Sequence, residues 1–173
     1  MSNAVVIGAG PTGLATAMLL AQQGLEVVVL DRDDPAPSDA QRAWADWGRR
    51  SVAQFHQVHY LQPAGRALLE EHLPDVASQM VAAGAVRFNL AERRARFLPG
   101  GPDDVDFSTF ETITTCRRPV LEFGFVAAAR SCPGVEIRSN CPVTELLTGP
   151  EVIDGVPHVI GSRLRRATQC QAM

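Results

Sequence analysis

Continuous apolar runs, not alternating ones, open this chain. Ala4–Ile7 and Val27–Leu30 are short and wholly apolar. Runs of that kind predict strands buried on both faces, as in a parallel sheet. Between them, Thr12–Gln23 is rich in Ala and Leu and predicts a crossover helix, with Gly24 placed to end it. Asp33–Ser38 (Asp-Asp-Pro-Ala-Pro-Ser) predicts a loop. Pro63 is placed to start a helix to about Leu73, and Pro74 restarts the chain for a second helix over Asp75–Ala83, ended by Gly84. Val86–Leu90 and, more weakly, Val105–Thr115 predict strands, with Pro99–Asp104 a turn between them. Pro119 begins a third helix to about Arg130, and Val135–Arg138 follows as a strand, the order a further parallel crossover needs. Val143–Leu147 and Val156–Ile160 predict a β-hairpin. Ser162–Met173 shows no periodicity and does not read as a strand.

The first apolar run leads into Gly8-Ala-Gly10-Pro-Thr-Gly13, and the second ends at Asp31, 18 residues past Gly13. Strand, glycine turn, helix, strand and acid thus stand in the order of a dinucleotide-binding βαβ unit over residues 1–34. Gly8 permits the tight turn, Gly10 lets backbone approach a pyrophosphate, and Gly13 lets the helix pack on the strand. The helix N-terminus, which Thr12 begins, offers free N–H groups to phosphate. Asp31 is placed to accept hydrogen bonds from a ribose diol, and an acid there disfavours a 2′-phosphate, hence NADP, at this site.

Composition narrows the chemistry. The 173 residues are 46% hydrophobic and 20% charged, enough for an ordinary core, and the net charge of −3 does not suggest nucleic acid. Arg93-Arg94-x-Arg96 is too small a patch to change that. All 16 basic residues are arginine, which excludes any lysine-based catalysis. No apolar run approaches the about 18 residues of a membrane span, and no basic leader precedes the first apolar stretch. The four cysteines (Cys116, Cys132, Cys141, Cys170) form no C-x-x-C and read as reduced cytoplasmic thiols. His56 and His59 lack a third ligand, so the spacing does not argue for metal; they belong either to a loop near a cofactor or to the packing. Trp44 and Trp47 line a cofactor or substrate pocket, or simply pack.

The chain resembles the N-terminal part of FAD-dependent oxidoreductases of the aromatic-ring hydroxylase type, the class A flavoprotein monooxygenases. The resemblance is carried by Gly8-Ala-Gly10-Pro-Thr-Gly13-Leu14 and by Asp31-Arg32. Three softer motifs join them: Arg50-Ser-Val-x-Gln54 with His56 and His59, Arg117-Arg118-Pro-Val-Leu-Glu122, and Cys132-Pro-Gly-Val-Glu-Ile-Arg138. It implies an α/β fold, a Rossmann-type FAD-binding βαβ with a parallel sheet plus a β-hairpin or meander, spanning 1–173 as an incomplete domain with an atypical tail at 162–173. It implies that Gly8, Gly10 and Gly13 contact the FAD pyrophosphate, with Thr12 at the helix start. Asp31 would bind the adenosine ribose, Arg32 would flank the adenine or ribose, and Arg118 and Arg50 would contact the cofactor. NAD(P)H as co-substrate and a small organic substrate, aromatic or polycyclic, follow from the same likeness; the expectation of no nucleic-acid or membrane partner comes from the net charge and the lack of a long apolar run. No residue stands out as catalytic acid or base. The family's later Asp-Gly and Gly-Asp motifs have no counterpart, so the expectation is a truncated, frame-shifted or split product that lacks a C-terminal portion or subunit. Two alternatives stand: a non-catalytic nucleotide-binding module, and an NAD-dependent dehydrogenase.

Overall fold

Val27, Val29 and Leu30 are buried at the centre of a three-stranded parallel sheet. The computed structural model describes residues 3–50, 52–89, 91, 110–114 and 117–165. It divides into two compact units, residues 1–35 with 134–173, and residues 36–133.

In the first unit, β1 (Asn3–Ile7), α1 (Pro11–Gln22) and β2 (Glu26–Leu30) form the βαβ, and β6 (Val135–Arg138) adds to the far side of β2. The order is β1-β2-β6, all parallel, with Val5 level with Val28 and Val27 level with Val135. Leu14, Ala17 and Met18 of α1 are buried with the valines of β2. Gly24 takes φ +84° just past the helix, the left-handed geometry that a C-terminal glycine supplies without steric cost. Continuous hydrophobicity predicted burial on both faces of β1. Instead Val5 and Ile7 are 57% and 54% exposed, because among the described residues β1 has one strand neighbour and nothing covers that face. The hairpin β7 (Val143–Ile153) and β8 (Val156–Leu164) completes this unit. It runs past its predicted ends, and Ser162–Leu164, expected outside any strand, pair with Val143–Leu146. The polar sequence is tolerated because the ribbon is exposed: Arg163 pairs across it with Glu145, and Thr144 Oγ1 donates to Arg163 O at 3.2 Å.

The second unit holds α2 (Ala40–Ala45), β3 (Tyr60–Leu61), α3 (Pro63–His72), α4 (Pro74–Ala82), β4 (Val86–Asn89), β5 (Glu111–Thr114) and α5 (Arg118–Ser131). The strands form an antiparallel sheet, β3-β5-β4. Each long helix carries its proline within the first two positions, where no N–H is needed. Val76, Met80, Ile113, Phe125 and Ala129 are buried. Gly124 lets α5 approach α4 closely: a Cβ there would lie 2.6 Å from Met80 Cγ. The predicted turn at 99–104, the arginines at 93–96, Cys116, Cys170 and the tail beyond residue 165 lie outside the described residues.

Candidate dinucleotide site

The glycine turn hangs between β1 and α1 and is zipped to β2. Gly8 N donates to Leu30 O at 2.7 Å, so the parallel ladder continues one step past the strand. Gly8 then takes φ +104°, a conformation L side chains rarely adopt, and the chain turns out of the sheet. Gly10 is the N-cap of α1, with Pro11 next, and Leu14 N closes the first helical turn on Gly10 O at 2.9 Å. The N–H groups at the start of a helix have no intrahelical acceptor. No acidic side chain stands in this first turn to compete for them. A Cβ built at Gly8 or Gly10 meets nothing within 4 Å, so the space beside the turn is open. Gly13 differs: its Cβ would fall 2.0 Å from Gly8 O, so it sets how closely helix and turn pack.

Asp31 follows β2 and is 5% exposed. Its carboxylate accepts from Ala9 N and, at 2.8 Å, from Asp33 N. Its backbone N–H donates to Arg138 O at 2.9 Å, and its carbonyl accepts from Cys141 N at 2.8 Å. A buried carboxylate is tolerated where N–H groups meet it, and it offers about four acceptor positions, enough for a diol beside these bonds. Asp31 is therefore a clamp on the turn. Thr12 is exposed in the first turn of α1, its carbonyl accepting from Thr16 Oγ1 at 2.9 Å. Arg32 is exposed directly after Asp31. An open cradle, unshared helix N–H groups and an oriented carboxylate fit the pyrophosphate and ribose of a dinucleotide.

Arg50 and Arg118 lie in the other unit. Arg50 is exposed in the turn after α2. Arg118 starts α5, and its Nε donates to Glu122 Oε1 at 2.6 Å while its Nη1 lies 3.3 Å from His59 Nε2. His59 Nδ1 lies 3.1 Å from Gln57 O. A carbonyl only accepts, so Nδ1 carries the proton and Nε2 accepts from Arg118. Glu122 is fully buried and also receives Arg49 Nη1 at 3.0 Å. Sequence reading singled out Arg50, yet its neighbour Arg49 is the one tied to a buried acid. A signal existed: Glu122 is an acid on the apolar side of a helix, four residues after an arginine. The aromatic residues mostly pack. Trp47 lies edge-on to Phe55 with centroids 5.2 Å apart, and His56 lies edge-on to both Phe55 and Trp44, at 5.4 and 5.3 Å.

The strand, glycine turn, helix and acid have the arrangement of a dinucleotide-binding βαβ unit, and the proteins to which the chain is similar include flavin-dependent enzymes. Residues 3–45 match the family model described as FAD dependent oxidoreductase. Among curated relatives, 6-hydroxy-3-succinoylpyridine 3-monooxygenase HspB of Pseudomonas putida is 28% identical over 165 residues, covering 86% of this chain and 34% of HspB. A KsdD-like steroid dehydrogenase of Mycobacterium tuberculosis is 26% identical, covering 90% of this chain and 32% of its own length. The chain thus spans about a third of the curated relatives it matches. Among solved structures, PqsL of Pseudomonas aeruginosa aligns with TM-score 0.56 and 17% identity over 95% of this chain and 38% of PqsL, a likeness of fold. The chain is similar to the N-terminal part of FAD-dependent oxidoreductases, as its opening motifs led one to expect.

Proposed function

We propose that this chain forms the FAD-binding N-terminal part of an FAD-dependent oxidoreductase of the monooxygenase type. The observation that carries this reading is the turn–acid unit: an open glycine cradle at the N-terminus of α1, clamped by Asp31 through Ala9 N. Within it, Gly8, Gly10, Thr12 and Gly13 hold the pyrophosphate, Asp31 the ribose and Arg32 the adenosine edge. Arg118 and Arg50 supply further cofactor contacts. The bound flavin would supply the redox chemistry, with NAD(P)H as its reductant and a small aromatic or polycyclic molecule as substrate. The likeness to a pyridine monooxygenase supports that substrate class. A cytoplasmic location suits free thiols at Cys132 and Cys141. No helix among the described residues is long and apolar enough to cross a membrane.

Titration of the full chain with FAD, FMN, ADP and NAD, read by flavin fluorescence and competition, tests this. FAD binding that ADP displaces and FMN does not is the expected result, since the described site serves the ADP half. Binding of NAD with no binding of FAD would instead support an NAD-dependent dehydrogenase. A second reading, a nucleotide-binding subunit that another polypeptide completes, is favoured by the edge of β1, which has no second strand neighbour among the described residues. FAD binding without NAD(P)H oxidation, gained only on adding a partner polypeptide, would establish it.

A further inference from the structure

Among the described residues, Asn140 is the only non-glycine residue with a positive φ, +56°. Asparagine tolerates that conformation, glycine adopts it freely and β-branched side chains avoid it. Asn140 follows β6, where the chain runs beside Asp31. Asp31 N donates to Arg138 O at 2.9 Å, continuing the parallel ladder of β2 and β6. The next step of an unbroken ladder would bring the N–H of residue 140 to Asp31 O. Cys141 N makes that bond instead, at 2.8 Å, one residue late. Asn140 N is thereby released to reach Asp33 O at 3.0 Å. An extra residue of this kind bends the chain and re-aims what lies next to it. We infer that Asn140 is a positioning residue for the glycine turn: its left-handed backbone holds the 31–33 segment, and through it the Asp31 carboxylate that fastens Ala9. The inference rests on the dinucleotide reading of that turn and adds to it a residue from outside the βαβ unit.

The connection runs bond by bond within the unit of residues 1–35 and 134–173. Asp33 is gripped at both ends: its carbonyl accepts from Asn140 N, and its N–H donates to Asp31 Oδ1 at 2.8 Å. Asp31 Oδ2 in turn accepts from Ala9 N, at the heart of the glycine turn. The backbone of Asp31 is pinned from the same side, by Arg138 O and Cys141 N. Asp31 and Asp33 are 5% and 3% exposed, so water is poorly placed to replace a partner lost from either. Asn140 itself is exposed, so packing is not what the position supplies. It supplies a backbone conformation and an N–H. A residue at 140 that rejects the left-handed region pulls the 139–141 turn off Asp33. Asp31 then keeps its carboxylate and loses its fixed aim, and the bond to Ala9 N opens more often.

The test uses the full chain fused to a soluble carrier and compares Asn140→Val, which rejects the left-handed region, with Asn140→Gly, which accepts it. Asn140→Ala is the milder case and replaces Asn140→Val if that variant does not fold, as judged by far-ultraviolet circular dichroism. Without nucleotide, hydrogen–deuterium exchange is resolved to the Ala9 amide by fragmentation in the mass spectrometer. It should be roughly tenfold faster in Asn140→Val, the scale of the left-handed penalty on a residue with a Cβ. It should stay within about twofold of wild type in Asn140→Gly. With FAD as the probe, read by flavin fluorescence, affinity should fall roughly tenfold in Asn140→Val and hold in Asn140→Gly. Because the effect runs through Asp31, Asn140→Val should change FAD affinity little in an Asp31→Ala background, where independent effects would add. Unchanged Ala9 exchange in the folded variant, an equal loss in Asn140→Gly, or additive losses in the double variant would overturn the proposal. If the wild-type chain binds no FAD, the dinucleotide reading falls, and Ala9 exchange still decides whether Asn140 holds the turn.

Discussion

The backbone N–H of Ala9 donates into the carboxylate of Asp31, fastening the glycine turn to the end of β2. On the proposed reading, one side chain thereby shapes the phosphate cradle and presents the ribose acceptor. Asp31→Ala removes both functions. Its expected cost is about 2–3 kcal/mol in ADP or FAD binding, the value of hydrogen bonds to a charged group, with a fall in Tm because Ala9 N loses its acceptor. Asp31→Asn retains an oxygen for Ala9 N and should lose less Tm than Asp31→Ala while still weakening ADP. Competition fluorescence and thermal melts on both variants check this.

The motif glycines separate by what surrounds them. At Gly13 a methyl group meets backbone that cannot yield, so Gly13→Ala should destabilise the fold by on the order of 3 kcal/mol. At Gly10 a methyl group meets open space, with φ −78° acceptable to any residue. Gly10→Ala should therefore hold its stability within about 1 kcal/mol and lose FAD affinity, because the methyl group fills the phosphate cradle. Urea unfolding beside FAD titration distinguishes the two, and equal unfolding midpoints for both variants would contradict the assignment.

Glu122 joins two arginines inside the second unit, where the Arg49 and Arg118 side chains are 7% and 19% exposed. Removing the shared acid takes away the carboxylate that both guanidiniums meet. Glu122→Gln should cost about 3–5 kcal/mol, the usual penalty for breaking a buried pair. Glu145→Gln breaks an exposed pair with Arg163 and should cost about 1 kcal/mol or less. Denaturant midpoints of the two variants, measured side by side, test the contrast.

The edge of β1, which has no second strand neighbour among the described residues, predicts behaviour in solution. An apolar strand with an unpaired edge invites association. The chain should be poorly soluble and hold FAD weakly, and Val5→Lys should raise the soluble fraction by placing a charge on that strand. Sedimentation of matched lysates measures it; an unchanged soluble fraction would remove β1 as the cause.

Cys132 has its thiol pushed up from the usual thiol value, first by burial and then by the charge of Asp75. A raised value in the folded state favours the neutral thiol there. Its stabilising contribution is complete below the unfolded thiol's pKa and is lost as pH rises through the higher folded value. Alkylation of Cys132 by iodoacetamide, followed by mass spectrometry, should begin at higher pH in the folded chain than in urea. Asp75→Asn should bring the folded profile partly back.

Local signals made the βαβ legible. Parallel strands buried by α1, glycines with fixed duties and an acid at one spacing all act within a short window. The proline-led helices α3, α4 and α5 declared themselves the same way, through a residue that fits best near a helix start. The elements that sequence reading passed over depend on distant partners or on brevity. β3 is two residues long and exists because Tyr60 and Leu61 meet Thr114 and Ile113. α2 is six residues, held at its start by Asp39 Oδ1 accepting from Arg42 N at 2.8 Å. The end of β8 was hidden because a ribbon with water on it need not look hydrophobic. Arg49 went unnoticed because its significance lies in a buried acid far along the chain.

The place of β6 beside β2 has a consequence for synthesis. Val27 finds its partner Val135 about a hundred residues later on the chain, and long loops of this kind close late and slowly. On the ribosome, β1, α1 and β2 emerge ahead of the 36–133 unit and must wait, half assembled, while it follows. That unit can fold from contiguous sequence before the β1-β2-β6 sheet is finished. The glycine turn, made ahead of that unit, is thus among the last parts to acquire its full support, and a nascent chain arrested before residue 135 would carry the motif with β2 unsupported on its far side.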